Sequence, residues 1–226
     1  MDRRPSDYKY NLVDTVHAHN IIFDTREVFL HGEDVNGEDG GMDFRVAAKF
    51  LKNLRILENY NKDPIIVHQH NIGGFTESGM VVYDSILHSP CHITIIMHGS
   101  ACSMGSIIPQ ASDLRLIMPN CRFLVHGGNI DISGTYKQIQ SMSEIEQSLF
   151  DTIINIYSNV AVNGIFFTEQ NASIQTVKRY ILNKIDKKED WWLLSHDVVS
   201  FGFADAIFGS KSYENLDVIR KRIKNG

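Results

Sequence analysis

The chain has 226 residues, of which 43% are hydrophobic, so it can bury the core of one ordinary domain without disulfides or metals. A formal net charge of −5 gives no basic field for nucleic acid, and three cysteines are too few for a disulfide framework. We therefore expect a single domain over residues 1–226 and no nucleic-acid partner. The sequence shows neither a signal peptide nor about 18 consecutive apolar residues, so we also expect a cytoplasmic protein with no membrane partner.

The first part of the chain predicts a strand followed by a helix. Within the N-terminal segment, about residues 1–20, roughly the first ten residues are polar and are expected to be mobile when alone. An apolar strand from Glu27 to Leu30 leads through a turn-rich segment into a helix from about Met42 to Glu58. The apolar stripe of this helix consists of Phe44, Val46, Ala47, Phe50, Leu51, Leu54 and Leu57.

The next segments repeat this alternation of strands and helices. The expected elements are a strand at Ile65–Val67, a helix at Ser78–His88, a strand at His92–Met97, a helix at Ser103–Ser112, and strands at Leu114–Met118 and Arg122–Val125. Strands that alternate with helices of this length imply right-handed crossovers and a mainly parallel sheet. The fold class is therefore α/β.

A long amphipathic helix is predicted beyond Gly134, over about residues 135–162. Its apolar positions are Tyr136, Ile139, Met142, Ile145, Leu149, Ile153, Ile156 and Val160. Such a stripe needs another surface to cover it. Because this helix lies outside the alternating units, we expect it to project and to pack against a second copy of the chain.

Ser103 is the first candidate for chemistry, because it lies between an apolar strand and the start of a helix. A hydroxyl group there is exposed at a strand end, and the N–H groups that follow it point at developing negative charge. The small residues Gly99, Ala101 and Gly105 leave room for a substrate backbone. The competing interpretation is a serine that caps the helix, which is a common role.

His126 ends another apolar strand and is the candidate general base. Adjacent parallel strands bring their last residues to one edge of a sheet, where the imidazole could reach Ser103 and take its proton. A carboxylate should orient the imidazole. Spacing alone leaves three candidates for it, which are Asp186, Glu189 and Asp190.

Two glycines, Gly73 and Gly74, follow a buried strand and offer a second backbone N–H group to an oxyanion. No side chain shields that group. A tight turn explains the glycines as well, and the two roles are compatible.

Four motifs in order resemble the Clp protease proteolytic subunit. They are SACSMGS around Ser103, the run from Pro119 to His126, the glycine-rich run from Gly73 to Asp84, and DWWLLSHDVVSFGFAD from Asp190 to Asp205. The likeness covers about Ile21 to Ile207. It implies the repeated ββα units of the Clp protease and crotonase fold, with the long helix as a projecting handle that joins two rings.

The resemblance makes Ser103 the nucleophile, His126 the base and Asp190 the orienting acid, with the N–H groups of Gly74 and Met104 as the oxyanion hole. It implies a serine endopeptidase that cleaves unfolded polypeptides inside two stacked rings, each of which has seven members in the family. No cofactor is implied for the chain itself, since a partner unfoldase of the AAA+ class uses the ATP.

The chain departs from the family pattern at several places. Gly127-Gly128 stands in place of Gln-Pro after the histidine, and Ile72 stands in place of proline before the glycine pair. Ile66 and His68 occupy positions where the family carries aromatic residues for unfoldase docking. An insertion is expected at about Asn163–Lys188. The insertion keeps Asp186 as a reserve candidate for the acid.

A metal site and a thiol nucleophile are not expected. The pairs His17/His19 and His68/His70 have spacings that suit a metal, but no cysteine or acidic cluster completes either set. Cys102, beside the candidate nucleophile, is expected to be a small packing residue.

Two other functions compete with peptide hydrolysis. A crotonase-like acyl-CoA enzyme would share the fold and the paired N–H groups, but it would not need Ser, His and Asp together. A non-catalytic scaffold subunit of a Clp-type ring would need no intact trio. Thioester turnover would favour the first alternative, and hydrolysis of short peptides by a homo-oligomer would exclude the second.

Overall fold

The computed structural model describes residues 5–32, 34–35 and 38–225. Its strands are β1 (Ile21–Ile22), β2 (Glu27–His31), β3 (Asp34–Val35), β4 (Glu38–Asp39), β5 (Ile65–Asn71), β6 (Ile93–Cys102), β7 (Leu114–Ile117), β8 (Arg122–His126), β9 (Asp190–Leu194) and β10 (Ala206–Ile207). Its α-helices are α1 (Pro5–His19), α2 (Phe44–Tyr60), α3 (Thr76–Leu87), α4 (Met104–Ile107), α5 (Tyr136–Ala161), α6 (Ile165–Thr168), α7 (Ile174–Lys188), α8 (Ser195–Ser200) and α9 (Leu216–Asn225). A 3-10 helix at Ile108–Ala111 follows α4.

The central sheet is mainly parallel, which confirms the predicted α/β class. Its order is β1-β2-β5-β6-β7-β10, with antiparallel pairing between β1 and β2 and parallel pairing along the rest. The long strand β6 pairs with β7 at Thr94–Met97 and with β8 at Ser100–Cys102. Because β6 changes partner along its length, β8 and the antiparallel β9 form a separate wing at its carboxyl end.

Helix α2 covers the inner face of the sheet with the predicted stripe. Val46, Ala47, Phe50, Leu54 and Leu57 are buried, whereas the expected member Phe44 is 74% exposed. The helix starts two residues later than predicted, because the side chain of Asp43 accepts hydrogen bonds from the N–H groups of Arg45 and Val46 and caps it. A Phe50→Ala substitution would open a cavity at a cost of about 3–5 kcal/mol.

Three elements differ from the prediction. The helix expected at Ser103–Ser112 is a single α-turn, α4, that tightens into the 3-10 helix, where Pro109 lacks a backbone donor. Strand β6 runs on to Cys102, because its last residues pair with β8. From Pro5 the N-terminal segment is a helix, and its predicted mobility stays a prediction; residues 1–4 lie outside the described residues.

The helix predicted beyond Gly134 is α5, and its two halves have different surroundings. Thr135 and Gln138 form a capping box at its start, which fixes where the helix begins. The first half is largely exposed, including Tyr136 at 82% and Ile145 at 61%, whereas Ile154 and the following turns are packed against the body of the protein. Within the part of the chain that the structure describes, every helix is too short or too polar to span a bilayer.

The outer face of the sheet is covered by α9, an element that the sequence analysis did not predict. Ile219 of this helix is buried in a cluster with Ile66, Ile96 and Leu116 of the strands. Arg220 of α9 donates a hydrogen bond to the carboxylate of Glu27. The C-terminal helix is therefore attached to the sheet by an apolar strip and an ion pair.

Glu27 is the centre of a polar cluster under α9. Its carboxylate lies 2.8 Å from Nε2 of His68, whose Nδ1 lies 3.2 Å from Nε2 of His98. Burial raises the pKa of Glu27, but hydrogen bonds from His68 and Thr25 and the nearby cationic groups outweigh it and lower the pKa to about 2. Burial, with smaller effects of His68 and His70, lowers the pKa of His98 to about 4.

Candidate active site

Ser103 lies at the junction between β6 and α4 with an unusual backbone. Its φ is 53° and its ψ is −123°, a backbone conformation that residues other than glycine rarely adopt. Such a residue costs about 1–3 kcal/mol and persists only where the surrounding structure enforces it. Here the N–H of Ser103 donates to the carbonyl of Leu124 on β8 at 3.1 Å, which holds the junction against the neighbouring strand.

The hydroxyl group of Ser103 does not cap the helix that follows. Ser103 is the N-cap residue of α4, yet its side chain makes no capping hydrogen bond in the described structure. The helix-capping interpretation therefore fails, and the half-buried hydroxyl is left for another role. Burial raises the pKa of the neighbouring Cys102 thiol, which is 5% exposed, so this cysteine stays protonated and acts as the packing residue that was predicted.

His126 ends β8 at the same sheet edge as Ser103. The parallel register pairs Cys102 of β6 with Leu124 of β8. Ser103 follows Cys102 by one residue and His126 follows Leu124 by two residues, so both lie just beyond a paired position on adjacent strands. Nε2 of His126 is buried and has no hydrogen-bond partner among the described residues. The serine hydroxyl and this nitrogen are therefore neighbours in the fold that are not hydrogen-bonded in this conformation.

Asp190 is paired with the other nitrogen of the same histidine. Residues 126 and 190 are opposite each other in the antiparallel β8–β9 ladder, and Oδ1 of Asp190 lies 3.5 Å from Nδ1 of His126. This is longer than the roughly 2.7–2.9 Å of a tight charge-assisted hydrogen bond. Asp186, the reserve candidate, lies exposed on α7 and Glu189 ends that helix, so neither takes this position.

An aromatic cluster anchors the strand that carries Asp190. The next residue, Trp191, is 3% exposed, and its ring centroid lies 5.2 Å from that of Phe201 and 6.0 Å from that of Tyr180 on α7. Edge-to-face packing at such distances fixes ring orientation. Helices α6 and α7 occupy the region of the expected insertion and supply part of this cluster.

Gly73 and Gly74 form a turn that packs directly against Ser103. A Cβ atom on Gly73 would lie 2.5 Å from Cβ of Ser103 and 3.1 Å from its Oγ, so only glycine fits beside the hydroxyl. On the other side, Met42 N donates to the Gly73 carbonyl at 2.6 Å, and Phe75 N donates to the Met42 carbonyl at 2.8 Å. In this parallel bridge Met42 binds the two residues that flank Gly74, which leaves the Gly74 N–H pointing away from it.

Met104 brings the second candidate N–H group to the same place. It is the first residue of α4, and the first N–H groups of a helix have no intrahelical acceptor. The side chain of Met104 is 2% exposed and packs on Gly79 of α3. The backbone N–H groups of Gly74 and Met104 thus belong to two segments that meet at Ser103.

A buried hydroxyl pair beneath Ser103 was not identified from the sequence. Oγ of Ser106 lies 2.7 Å from the Ser103 carbonyl, 2.8 Å from the Leu124 carbonyl and 2.6 Å from the hydroxyl of Tyr157 on α5. Burial raises the pKa of Tyr157, which is 1% exposed. The pair connects the long helix α5 to the turn at Ser103. Tyr157 lies outside the stripe predicted for this helix, so no pattern in the sequence indicated the contact.

The described residues contain no cluster of three or more His, Cys, Asp or Glu side chains arranged to bind a metal. In the pair His68/His70, His68 contacts Glu27 in the polar cluster, and Nδ1 of His70 lies 3.1 Å from the carbonyl oxygen of His98.

The chain is similar to proteins of one family along most of its length. A family model described as Clp protease matches residues 14–211. The ATP-dependent Clp protease proteolytic subunit 2 of Pseudomonas aeruginosa is 27% identical over 76% of this chain and 79% of its own. Proteolytic subunit 1 of Mycobacterium leprae is 26% identical over 96% of this chain and 97% of its own.

A solved structure has the same fold. A mutant of ClpP1 from Listeria monocytogenes superposes with a TM-score of 0.67, covers 87% of this chain and 96% of its own, and is 22% identical in sequence. At this identity the likeness supports the architecture.

Proposed function

The chain belongs to the Clp protease family, and we propose that it is a serine endopeptidase in which Ser103, His126 and Asp190 form the catalytic triad. The observation that carries this proposal is the strained turn at Ser103. The hydroxyl group of this residue caps no helix, and it lies against Gly73, where no residue with a Cβ atom would fit. A serine with a merely structural role has no need of that conformation.

Acylation begins when His126 Nε2 takes the hydroxyl proton and Ser103 Oγ attacks the carbonyl carbon of a peptide bond. Asp190, which faces Nδ1 of the same ring, keeps the imidazole in the required tautomer and stabilises the imidazolium that forms. The tetrahedral intermediate collapses when His126 returns the proton to the leaving amine, the C–N bond breaks, and an acyl ester remains on Ser103. Water then attacks the ester by the same route.

The negative charge on the carbonyl oxygen is stabilised by the N–H groups of Gly74 and Met104. These groups come from segments on opposite sides of Ser103, so an oxygen between them can accept two hydrogen bonds. Donors of this kind, fixed before the reaction, each contribute about 10²–10³ in kcat. Because Nε2 of His126 has no hydrogen-bond partner among the described residues in this conformation, the imidazole and the Ser103 hydroxyl must come within hydrogen-bond distance before the first step.

We propose that the active sites lie inside two stacked rings, which the resemblance implies to be seven-membered. The exposed half of α5 presents Tyr136, Ile139, Met142 and Ile145, a stripe whose burial would favour contact with a copy in the opposite ring. The chain itself needs no cofactor in this reaction. The three cysteines are free thiols, in agreement with a reducing cytoplasm.

An AAA+ unfoldase would feed polypeptide substrates to such a chamber. In this chain the two positions that the resemblance assigns to unfoldase docking are not available on the surface. Ile66, one of the two positions that the resemblance assigns to docking, is 2% exposed and belongs to the cluster beneath α9. His68, the other, is bonded to Glu27. We propose that unfoldase binding at this face requires α9 to move.

Replacement of Ser103 by Ala tests the proposed chemistry. The variant should lose peptide hydrolysis and labelling by a fluorophosphonate probe, whereas a Cys102→Ala variant should keep both. Labelling that persists in the Ser103→Ala protein would assign the nucleophile elsewhere.

Native mass measured on the same samples tests the assembly into rings. Thioester turnover without peptidase activity would favour the acyl-CoA alternative.

A further inference from the structure

Two buried amide side chains, Gln69 and Asn71, lie beneath the proposed oxyanion hole and have no part in proton transfer. They are 0% and 2% exposed. Both belong to β5, and residues two apart on a strand point to the same side of the sheet. That side faces the segments that carry the N–H groups of Gly74 and Met104.

Asn71 holds the first of these segments. Its Oδ1 accepts a hydrogen bond from the N–H of Gly73 at 2.8 Å, across Ile72. An asparagine bonded to the backbone two residues on forms an Asx turn, which fixes the direction of the chain. The turn positions Gly73 against Ser103 and Gly74 next in line, at a place where Ile72 provides no backbone constraint of its own.

Gln69 holds the second segment. Its Nε2 donates to the carbonyl of Gly105 in the single turn of α4, at 2.6 Å. The same turn rests on β5, because a Cβ atom on Gly105 would lie 2.4 Å from the Asn71 carbonyl oxygen. Since α4 is only four residues long, this anchor determines where its first residue, Met104, presents its N–H group.

Each amide is only partly satisfied, so a contribution to stability does not by itself explain why an amide occupies either position. Oε1 of Gln69 and Nδ2 of Asn71 are buried and have no hydrogen-bond partner among the described residues. Burying an unpaired polar atom is unfavourable, so an apolar side chain of similar size would stabilise this interior more. The bonds that the two residues do make both end on the backbone around Ser103.

We propose that Asn71 and Gln69 are positioning residues that set the separation of the two oxyanion donors, Asn71 through the Gly73–Gly74 turn and Gln69 through α4. This inference rests on the proposed function. Its consequence is a defect specific to the transition state, because the oxyanion exists only there, whereas binding of the ground-state peptide uses other contacts.

The test compares Asn71→Ala with Asn71→Ser in the full-length assembled protein. The alanine variant removes the acceptor of the Gly73 N–H, and kcat for a short fluorogenic peptide should fall about 10- to 100-fold with KM nearly unchanged. This decrease is no larger than the one expected when an oxyanion-hole donor is removed outright, because the Gly74 N–H is displaced and not deleted. Serine restores an acceptor oxygen that can close a similar turn, so it should recover most of kcat. Gln69→Met, which keeps the volume, should also lower kcat with little change in KM.

Asn53→Ala is the matched control. Asn53 is a buried amide on α2 whose Nδ2 donates to the carbonyl of His19 at 2.6 Å, away from the site. Its loss should lower the melting temperature and leave kcat unchanged. If Asn71→Ala instead raises KM at constant kcat, or if the serine variant recovers the melting temperature without recovering kcat, the positioning role is refuted.

A second readout separates this inference from the proposed function. A peptide boronate, which forms a tetrahedral adduct on the serine, should bind Asn71→Ala more weakly by the same factor as kcat falls. Fluorophosphonate should label this variant slowly but to completion. Complete absence of labelling in the wild-type protein would refute Ser103 as the nucleophile, whereas normal boronate affinity in Asn71→Ala would refute only the role of Asn71.

Discussion

The strained backbone at Ser103 predicts that glycine is more stable than alanine at this position, the reverse of the usual order. With φ at 53° and ψ at −123°, a residue that has a Cβ atom loses about 1–3 kcal/mol relative to glycine. Glycine loses about 0.5–1 kcal/mol through the entropy of the unfolded chain. With the middle of each range, Ser103→Gly is more stable than Ser103→Ala by about 1 kcal/mol, or a few degrees in melting temperature for a chain of this size.

Both variants lack the hydroxyl group, so catalysis does not enter the comparison. Thermal unfolding should be followed at one fixed protein concentration, because assembly makes the melting temperature depend on concentration. Ser85 in the last turn of α3 provides the control pair, since glycine should be less stable than alanine by up to about 1 kcal/mol in a helix. If alanine is also the more stable residue at position 103, the turn is not strained and Ser103 lacks the backbone conformation that distinguishes it from a structural serine.

Three further predictions follow from the geometry. Asp190→Asn should lower kcat about 10³- to 10⁴-fold by fixing the wrong histidine tautomer, whereas Asp186→Asn should have little effect; equal losses in peptide hydrolysis would contradict the pairing. Since the pKa of Glu27 is lowered to about 2 by the fold, its stabilising effect is present above about 4.5 and is lost as the pH falls from there towards 2. The protection factors of the amides in the C-terminal helix, which are exchange rates divided by the intrinsic rate at each pH, should fall over this range in the wild-type protein and should be low and nearly independent of pH in Glu27→Gln. Ile145→Asp places a charge on the exposed stripe of the long helix and should halve the native mass, whereas Glu146→Gln should not; an unchanged mass for the first variant would exclude that stripe from the ring contact.

Much of the fold was predictable because periodicity reports local burial. The buried stripe of α2 and the extent of α5 were visible as steps of three and four residues, and the ends of both helices differ by only a few residues from those in the structure. The buried face of α5 is a different one from the predicted stripe, because it consists of Ile154, Tyr157, Ser158 and Ala161. The apolar strands identified the parallel sheet. The short C-terminal helix α9 was missed, because its few apolar residues become meaningful only against the strip of Ile66 and Ile96 that they cover.

The candidate site was partly readable for a similar reason. Ser103, His126 and the glycine pair each stand at the end of an apolar strand, and the shared edge of parallel strands brings such residues together. The choice among the acids was not readable from spacing. It depends on the antiparallel register of β8 and β9, a contact between segments more than sixty residues apart, which places Asp190 opposite the histidine.

The sequence by itself determined the class of fold, the strand ends and the residue types available for acyl transfer, because these follow from patterns within a few turns of chain. Only the tertiary structure decided the positive φ of Ser103, the unsatisfied amides of Gln69 and Asn71 beneath it, and the attachment of α9 through Glu27. Each of these is enforced by residues distant in the chain, and no local pattern encodes a distance between segments that meet only when the sheet has formed.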